Sequence, residues 1–141
     1  MTPEETITAL EEELRKLPDW EDRYARIISM GKDLPAFPEE KKNEDDLVSG
    51  CQSKVWMVPS FADGKVHFDM ESEALVVKGL AALVLRIYND RTPAEILSVP
   101  SNFVQRLGLD TALSASRSNG LAAMVKQISL YAVAYNMKAQ L

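Results

Sequence analysis

Two side chains in this sequence have the chemistry to act as nucleophile or base near neutral pH: one thiol, Cys51, and one imidazole, His67. Cys51 stands in Gly50-Cys51-Gln52-Ser53, between an acidic stretch and an apolar one. Gly50 permits a backbone dihedral that other residues avoid, and it lets another chain come close. A cysteine that merely fills a core has apolar neighbours; the glycine and the polar Gln52 and Ser53 argue instead for a reactive thiol on a loop, held by a rigid scaffold. One Cys excludes an internal disulfide and a Cys-based zinc or iron–sulfur centre within one chain, and one His excludes a two-His metal site. A carboxylate-only magnesium or calcium site is not excluded by counting, but no calcium-loop motif is present, and no metal is expected.

Whether His67 could serve Cys51 as a base depends on the elements that carry them. Lys54 to Phe61 is rich in Val, Trp, Met and Phe; Asp63-Gly64 follows, and then Val66, Phe68 and Met70 alternate with His67, Asp69 and Glu71. That is the period-2 pattern of a hairpin closed by a two-residue Asp-Gly turn. The turn sets the register: Phe61 faces Val66, Pro59 faces Phe68 and Met57 faces Met70, with Val55, Met57 and Phe61 sharing the core side with Val66, Phe68 and Met70. Pro59 cannot donate to a ladder, which points to an edge strand or an irregularity. His67 then faces Ser60, nine residues from Cys51, or roughly 30 Å of extended chain at ~3.3 Å per residue. It also points away from the core face. The spacing therefore disfavours a papain-type Cys–His pair and makes His67 a solvated strand residue.

Arg117, in Ser116-Arg117-Ser118-Asn119-Gly120, is a second candidate. A cation in the first turn of a helix opposes the helix dipole, so Arg117 gains nothing from its own helix. It is expected to lower the pKa of a thiol or to pair with a partner's carboxylate. Lys54 and Lys78 are weaker candidates for that task, and Glu73 is a dipole-matched acid at a helix start.

The remaining elements are mostly helical. Thr2-Pro3-Glu4-Glu5 combines an N-cap, a proline at the first helical position and a capping-box Glu; Ile7, Leu10, Leu14 and Leu17 follow at helical spacing, stopped by Pro18. Asp19 caps a second helix with Trp20, Tyr24, Ile27 and Ile28 on its apolar face, ended by Gly31. Residues 32–48, with two prolines and a charged run, read as a solvated linker. Ser72 is expected to cap a third helix carrying Val76, Leu80, Leu83, Val84 and Ile87. Thr92-Pro93-Ala94-Glu95 opens a short helix. Ser101 to Leu107, closed by Gly108, is another. Ser116 or Ser118 caps the last, with Leu121, Met124, Val125, Ile128, Ala132 and Tyr135 in one stripe. The sum is a single α+β domain spanning residues 1–141, a small antiparallel sheet packed against helices.

At 141 residues, 46% apolar and 26% charged, the chain suffices for one core without staples. The net charge of −5 is uneven: residues 1–50 hold 14 acidic and seven basic side chains, residues 51–141 seven and nine. With no basic cluster, nucleic acid and anionic membranes are poor partners. The longest apolar run, Gly79 to Leu85, is far short of a membrane span, and the acidic start lacks the pattern of a secretory signal. A lone thiol with no export signal fits the cytoplasm.

Gly50-Cys51-Gln52-Ser53-Lys54-Val55-Trp56 closely resembles the signature of the SufE family, the sulfur-acceptor proteins of iron–sulfur cluster assembly. Asp19-Trp20-Glu21-Asp22-Arg23-Tyr24, Val76-Val77-Lys78-Gly79-Leu80 and Ser116-Arg117-Ser118-Asn119-Gly120-Leu121 look like further blocks of that family, in the right order. Lys54 stands where relatives commonly have Gln, and Asn119 likewise departs from the pattern. The resemblance implies the SufE/NifU (IscU-like) fold. It implies that sulfur passes from a pyridoxal-phosphate cysteine desulfurase of the SufS or CsdA kind to Cys51, and on to a SufBCD-type scaffold. The desulfurase would be stimulated, and the chain would act as a carrier rather than an enzyme. It needs no cofactor beyond a transient cysteine persulfide, because the pyridoxal phosphate belongs to the partner. Gly50 and Gln52 would touch that partner, and a homodimer is compatible with this role. The sulfur is expected to rest in an apolar pocket, on the core side if the chain stays extended back from Val55 to Cys51. The competing reading is a thiol-based redox protein using the same single cysteine, which would need a low thiol pKa and a route to reduction.

Overall fold

The computed structural model describes residues 1–139. Helices α1 (Pro3–Arg15) and α2 (Trp20–Lys32) lead to a segment with two 3-10 turns. Strands β1 (Val55–Ala62) and β2 (Lys65–Ser72) follow, then α3 (Leu75–Tyr88), α4 (Pro93–Leu97), α5 (Phe103–Arg106), α6 (Leu109–Ala112) and the long α7 (Ala115–Ala139). This is the expected α+β arrangement, mostly helical with one two-stranded antiparallel sheet. No helix among the described residues is long and apolar enough to cross a membrane.

The centre of the core is α3, whose residues Gly79 to Leu85, with Ile87 and Tyr88, are all buried. Such a helix must be wrapped on nearly every side, and α1, α2, β2 and α7 do so. The crossing with α2 is very close. A Cβ added at Gly79 would lie 2.4 Å from the Ile27 carbonyl oxygen, and one at Gly31 would lie 2.7 Å from the Gly79 nitrogen. Gly31 therefore does not end α2, as its sequence position suggested. It sits inside the helix, which runs on to Lys32, and lets two backbones touch.

The hairpin has the register read from the sequence: Met57 opposite Met70, Pro59 opposite Phe68 and Phe61 opposite Val66. Asp63 (φ 54°) and Gly64 (φ 76°) both take the left-handed conformation that a tight hairpin turn of this kind demands. The Val55 carbonyl points away from β2 and accepts from Val48 N–H at 2.8 Å. Pro59, four residues on, shares that parity, so its missing N–H falls on the outer edge of β1 and no ladder bond is lost. The far edge of β2 is closed by Arg91 and Asp90 backbone at Val66 and by the Asn89 side chain, which exchanges two bonds with the Phe68 backbone. Phe61 shares the inward parity but is over a third exposed, and stacks on Tyr135 of α7 at 5.0 Å.

The capping boxes at Thr2 and Thr92 and the Asp19 cap are present, and Gly108 adopts φ 74° after α5. Two other caps differ from expectation. Ser72 is the last residue of β2; its hydroxyl donates to the Lys54 carbonyl at 2.8 Å and accepts from Ala74 N–H, and α3 starts three residues later without a side-chain cap. The last helix starts at Ala115, and Ser114, not Ser116 or Ser118, accepts from Arg117 N–H through its Oγ at 3.4 Å. Residues 32–48 are also not a free linker. Phe37 and Val48 are buried, Leu47 bridges to Trp56, and the Lys42 ammonium sits 5.4 Å from the Trp56 ring. A two-stranded sheet leaves Trp56 on its outer face, and burying that indole outweighs the solvation of a few charged neighbours. The short α6 has no forecast in the pattern.

Candidate functional site

Cys51 follows Gly50, whose φ of +92° is strained for any other residue. That turn brings the loop against α7; a Cβ at position 50 would touch Ala123 at 3.4 Å. The chain then bends at Gln52 and Ser53 before β1 begins, so it is not extended from Cys51 to Val55. Strand parity therefore does not place the thiol. The Gly50 turn does, and it sets Cys51 half-buried in a cleft of about 520 Å³ between the loop, the start of α3 and the start of α7.

The cleft floor is apolar, formed by Val76, Leu80 and Met124; Gln52, Ser53, Ser116 and Arg117 give it a polar side. The sulfur lies 3.6 Å from the Gly120 carbonyl oxygen, to which the S–H donates. Burial pushes the Cys51 thiol up from its ordinary pKa, so the resting group is a protonated thiol. Arg117 lines the same cleft with its side chain exposed to solvent. Leu75, also in the lining, is 61% exposed, an unusual position for a leucine at a cleft mouth. Helical periodicity passes over Leu75 because it lies off the Val76–Leu80–Leu83 stripe. An apolar side chain at a helix start and off the stripe was the available signal.

The other sequence candidates lie elsewhere. The Lys78 ammonium is 3.0 Å from Glu71 Oε1, and Lys54 is not part of the cleft lining. His67 lines a separate cleft of about 670 Å³ between β2, α3 and residues 33–38, which shares no residue with that of Cys51. Its Nδ1 lies 2.7 Å from Asp90 Oδ1 and its Nε2 3.3 Å from Asp69 Oδ1. The hydrogen bond to Asp90, with the charge of both carboxylates, raises its pKa despite partial burial. His67 is thus a paired residue rather than a merely solvated one. The larger cleft carries no thiol; His67, Asp69, Asp90 and Lys41 there pair with one another. Among the described residues, no three His, Cys, Asp or Glu side chains are grouped to hold a metal ion.

Comparison with known proteins gives a consistent picture. Residues 8–132 match the family model described as "SufE: Fe-S metabolism associated domain". The "Sulfur acceptor protein CsdE" of Escherichia coli (strain K12) is 40% identical over 127 residues, covering 87% of this chain and 86% of that protein. An uncharacterised SufE-like protein of Rhizobium etli is 40% identical over 117 residues, 79% of each chain. The solution structure of a hypothetical protein from Thermus thermophilus superposes with a TM-score of 0.76 over 94% of this chain and 96% of that one. At 24% identity it speaks for the fold alone.

Proposed function

This chain belongs to the SufE family, and from that premise we propose that Cys51 is a sulfur acceptor, loaded by the persulfide of a pyridoxal-phosphate cysteine desulfurase of the SufS or CsdA kind. The cargo then passes to a SufBCD-like cluster scaffold in the cytoplasm, and removing it stimulates the desulfurase. The observation that carries this reading is a solitary thiol, half-buried in an apolar-floored cleft whose rim exposes Leu75 and Arg117.

The step is a thiol–disulfide-type exchange. Cys51 Sγ, as thiolate, attacks the outer sulfur of the donor's Cys–S–SH. A new S–S bond forms on Cys51, the donor's S–S bond breaks, and the donor sulfur leaves as thiolate and takes up the proton that Cys51 gave. One sulfur atom moves and no net oxidation occurs. Because burial holds the free thiol in its protonated form, ionisation must accompany docking. Arg117, on the cleft rim, is the chain's own cation for that purpose, either beside the developing thiolate or against a partner carboxylate. Gly50 and Gln52 flank the thiol and meet the partner first. A resting thiol with a raised pKa argues against the redox-protein alternative, which depends on a thiolate ready at neutral pH.

The test is intact-mass spectrometry after incubation with a cysteine desulfurase and cysteine. A gain of one sulfur, mapped to residue 51, is expected. Cys51→Ser should show no gain and an unchanged melting temperature; sulfur uptake that survives in this variant ends the proposal.

A further inference from the structure

Gly120 has no backbone reason to be glycine. It lies in the second turn of α7 with an ordinary helical φ, for the described glycines with positive φ are Gly50, Gly64 and Gly108. Glycine inside a helix weakens it relative to alanine. At Gly31 and Gly79 that weakness is offset by packing, because a Cβ at either would run into backbone atoms. At Gly120 no such crowding exists among the described residues. An added Cβ would meet one atom within 4 Å, and that atom is Cys51 Sγ, at 3.8 Å. The side chain is missing at the point where the α7 wall faces the sulfur.

A separation of 3.8 Å is ordinary van der Waals contact, so the bare thiol would tolerate alanine. A persulfide is different. It lengthens the Cys51 side chain by one sulfur at about 2.05 Å, an atom close to a methyl group in size, and close-packed walls do not absorb an extra atom without strain. We propose that Gly120 reserves the volume into which the added sulfur of loaded Cys51 fits, which makes it a positioning residue for the persulfide and not for the thiol. This rests on Cys51 being the sulfur acceptor. Gly120 takes no part in the bond changes: it governs where the transferred atom lies once the new S–S bond exists. The Gly120 carbonyl, which accepts from the S–H at rest, loses that donor on loading, so the sulfur is free to turn towards the vacant side of the helix.

The experiment compares wild type with Gly120→Ala and Gly120→Ser. Each protein is loaded with a cysteine desulfurase and cysteine, freed of both, and exposed to glutathione while intact mass follows loss of the extra sulfur. Unloaded samples are alkylated with iodoacetamide in parallel. The two variants should melt no lower than wild type, and their unloaded thiols should alkylate within about twofold of it. Their loaded forms should shed sulfur at least about fivefold faster. Equal lifetimes in all three proteins overturn the proposal. So does an altered alkylation rate that matches the altered lifetime, since the thiol itself would then be what the side chain disturbs. A lower melting temperature also overturns it, by showing that position 120 faces more than the sulfur. If wild type never gains a sulfur, the acceptor reading of Cys51 has failed instead.

Discussion

The two large clefts of this molecule are built on opposite plans. Around His67 most charged groups are paired among the described residues: His67 with Asp90 and Asp69, Lys41 4.0 Å from Asp69, and Arg86 with Glu13 beyond the cleft lining, while Asp33 makes no ion pair. Around Cys51, among the described residues, the thiol bonds only to a backbone carbonyl, Arg117 is exposed, and Leu75 offers its side chain to water. Internally paired groups spend their interactions within the chain. Groups left without intramolecular partners keep them for another molecule. On this contrast the smaller cleft is the one proposed to meet a partner.

Substitutions on either side can break this contrast. The largest effect is expected from Leu75→Glu. An apolar anchor at the rim of an interface, replaced by a charge, should lower desulfurase stimulation about tenfold or more, with the melting temperature unmoved because the residue is exposed. Asp90→Ala in the other cleft should leave stimulation intact. If Asp90→Ala proves the more damaging for transfer, the roles assigned to the two clefts are reversed. Next in size is Arg117→Ala. Loss of a rim cation should slow sulfur transfer several-fold at low salt, to an extent of about 1 kcal/mol or less, and high salt should shrink the difference. A salt-independent effect would instead place Arg117 beside the reacting sulfur.

The pH dependence of Cys51 alkylation sharpens the same comparison. With its pKa raised by burial, the thiol in the free protein should react faster and faster with iodoacetamide as pH climbs past about 8.5, the ordinary thiol value. A plateau near neutrality would show a thiolate already present and would revive the redox reading. Addition of the desulfurase should move the profile to lower pH if docking supplies the ionising charge.

How much of this was legible beforehand follows the range of the interactions. The hairpin register could be read because Asp63-Gly64 fixes it locally and one wrong step would turn Val66, Phe68 and Met70 to water. The boxes at Thr2 and Thr92 span three residues. Gly31 misled because a glycine that ends a helix and one that lets two helices touch look alike until Gly79 is known to lie across from it. Cys51 could be singled out by its neighbours, but its shelter could not be derived from strand parity, since the bend at Gln52 and Ser53 breaks the parity. Leu75, Met124 and Gly120 converge on the thiol from segments far along the chain, Gly120 from 69 residues away, a long-range fact that no local pattern encodes.

The smallest expected effect lies in the paired cleft. His67 has a pKa raised in the folded chain, chiefly by its hydrogen bond to Asp90. Its protonated form is thus favoured by folding, and the contribution to stability is fully present below the unfolded value of about 6.5 and fades as pH rises through the higher folded value. His67→Gln should accordingly lower the melting temperature at about pH 5.5 and converge on wild type by about pH 9. Because the imidazole is nearly half exposed, solvent screening keeps the difference below about 1 kcal/mol. Thermal melts across that range decide the matter. A deficit that grows towards alkaline pH would mean that the neutral imidazole, rather than the ion pair with Asp90, holds β2 to the turn after α3.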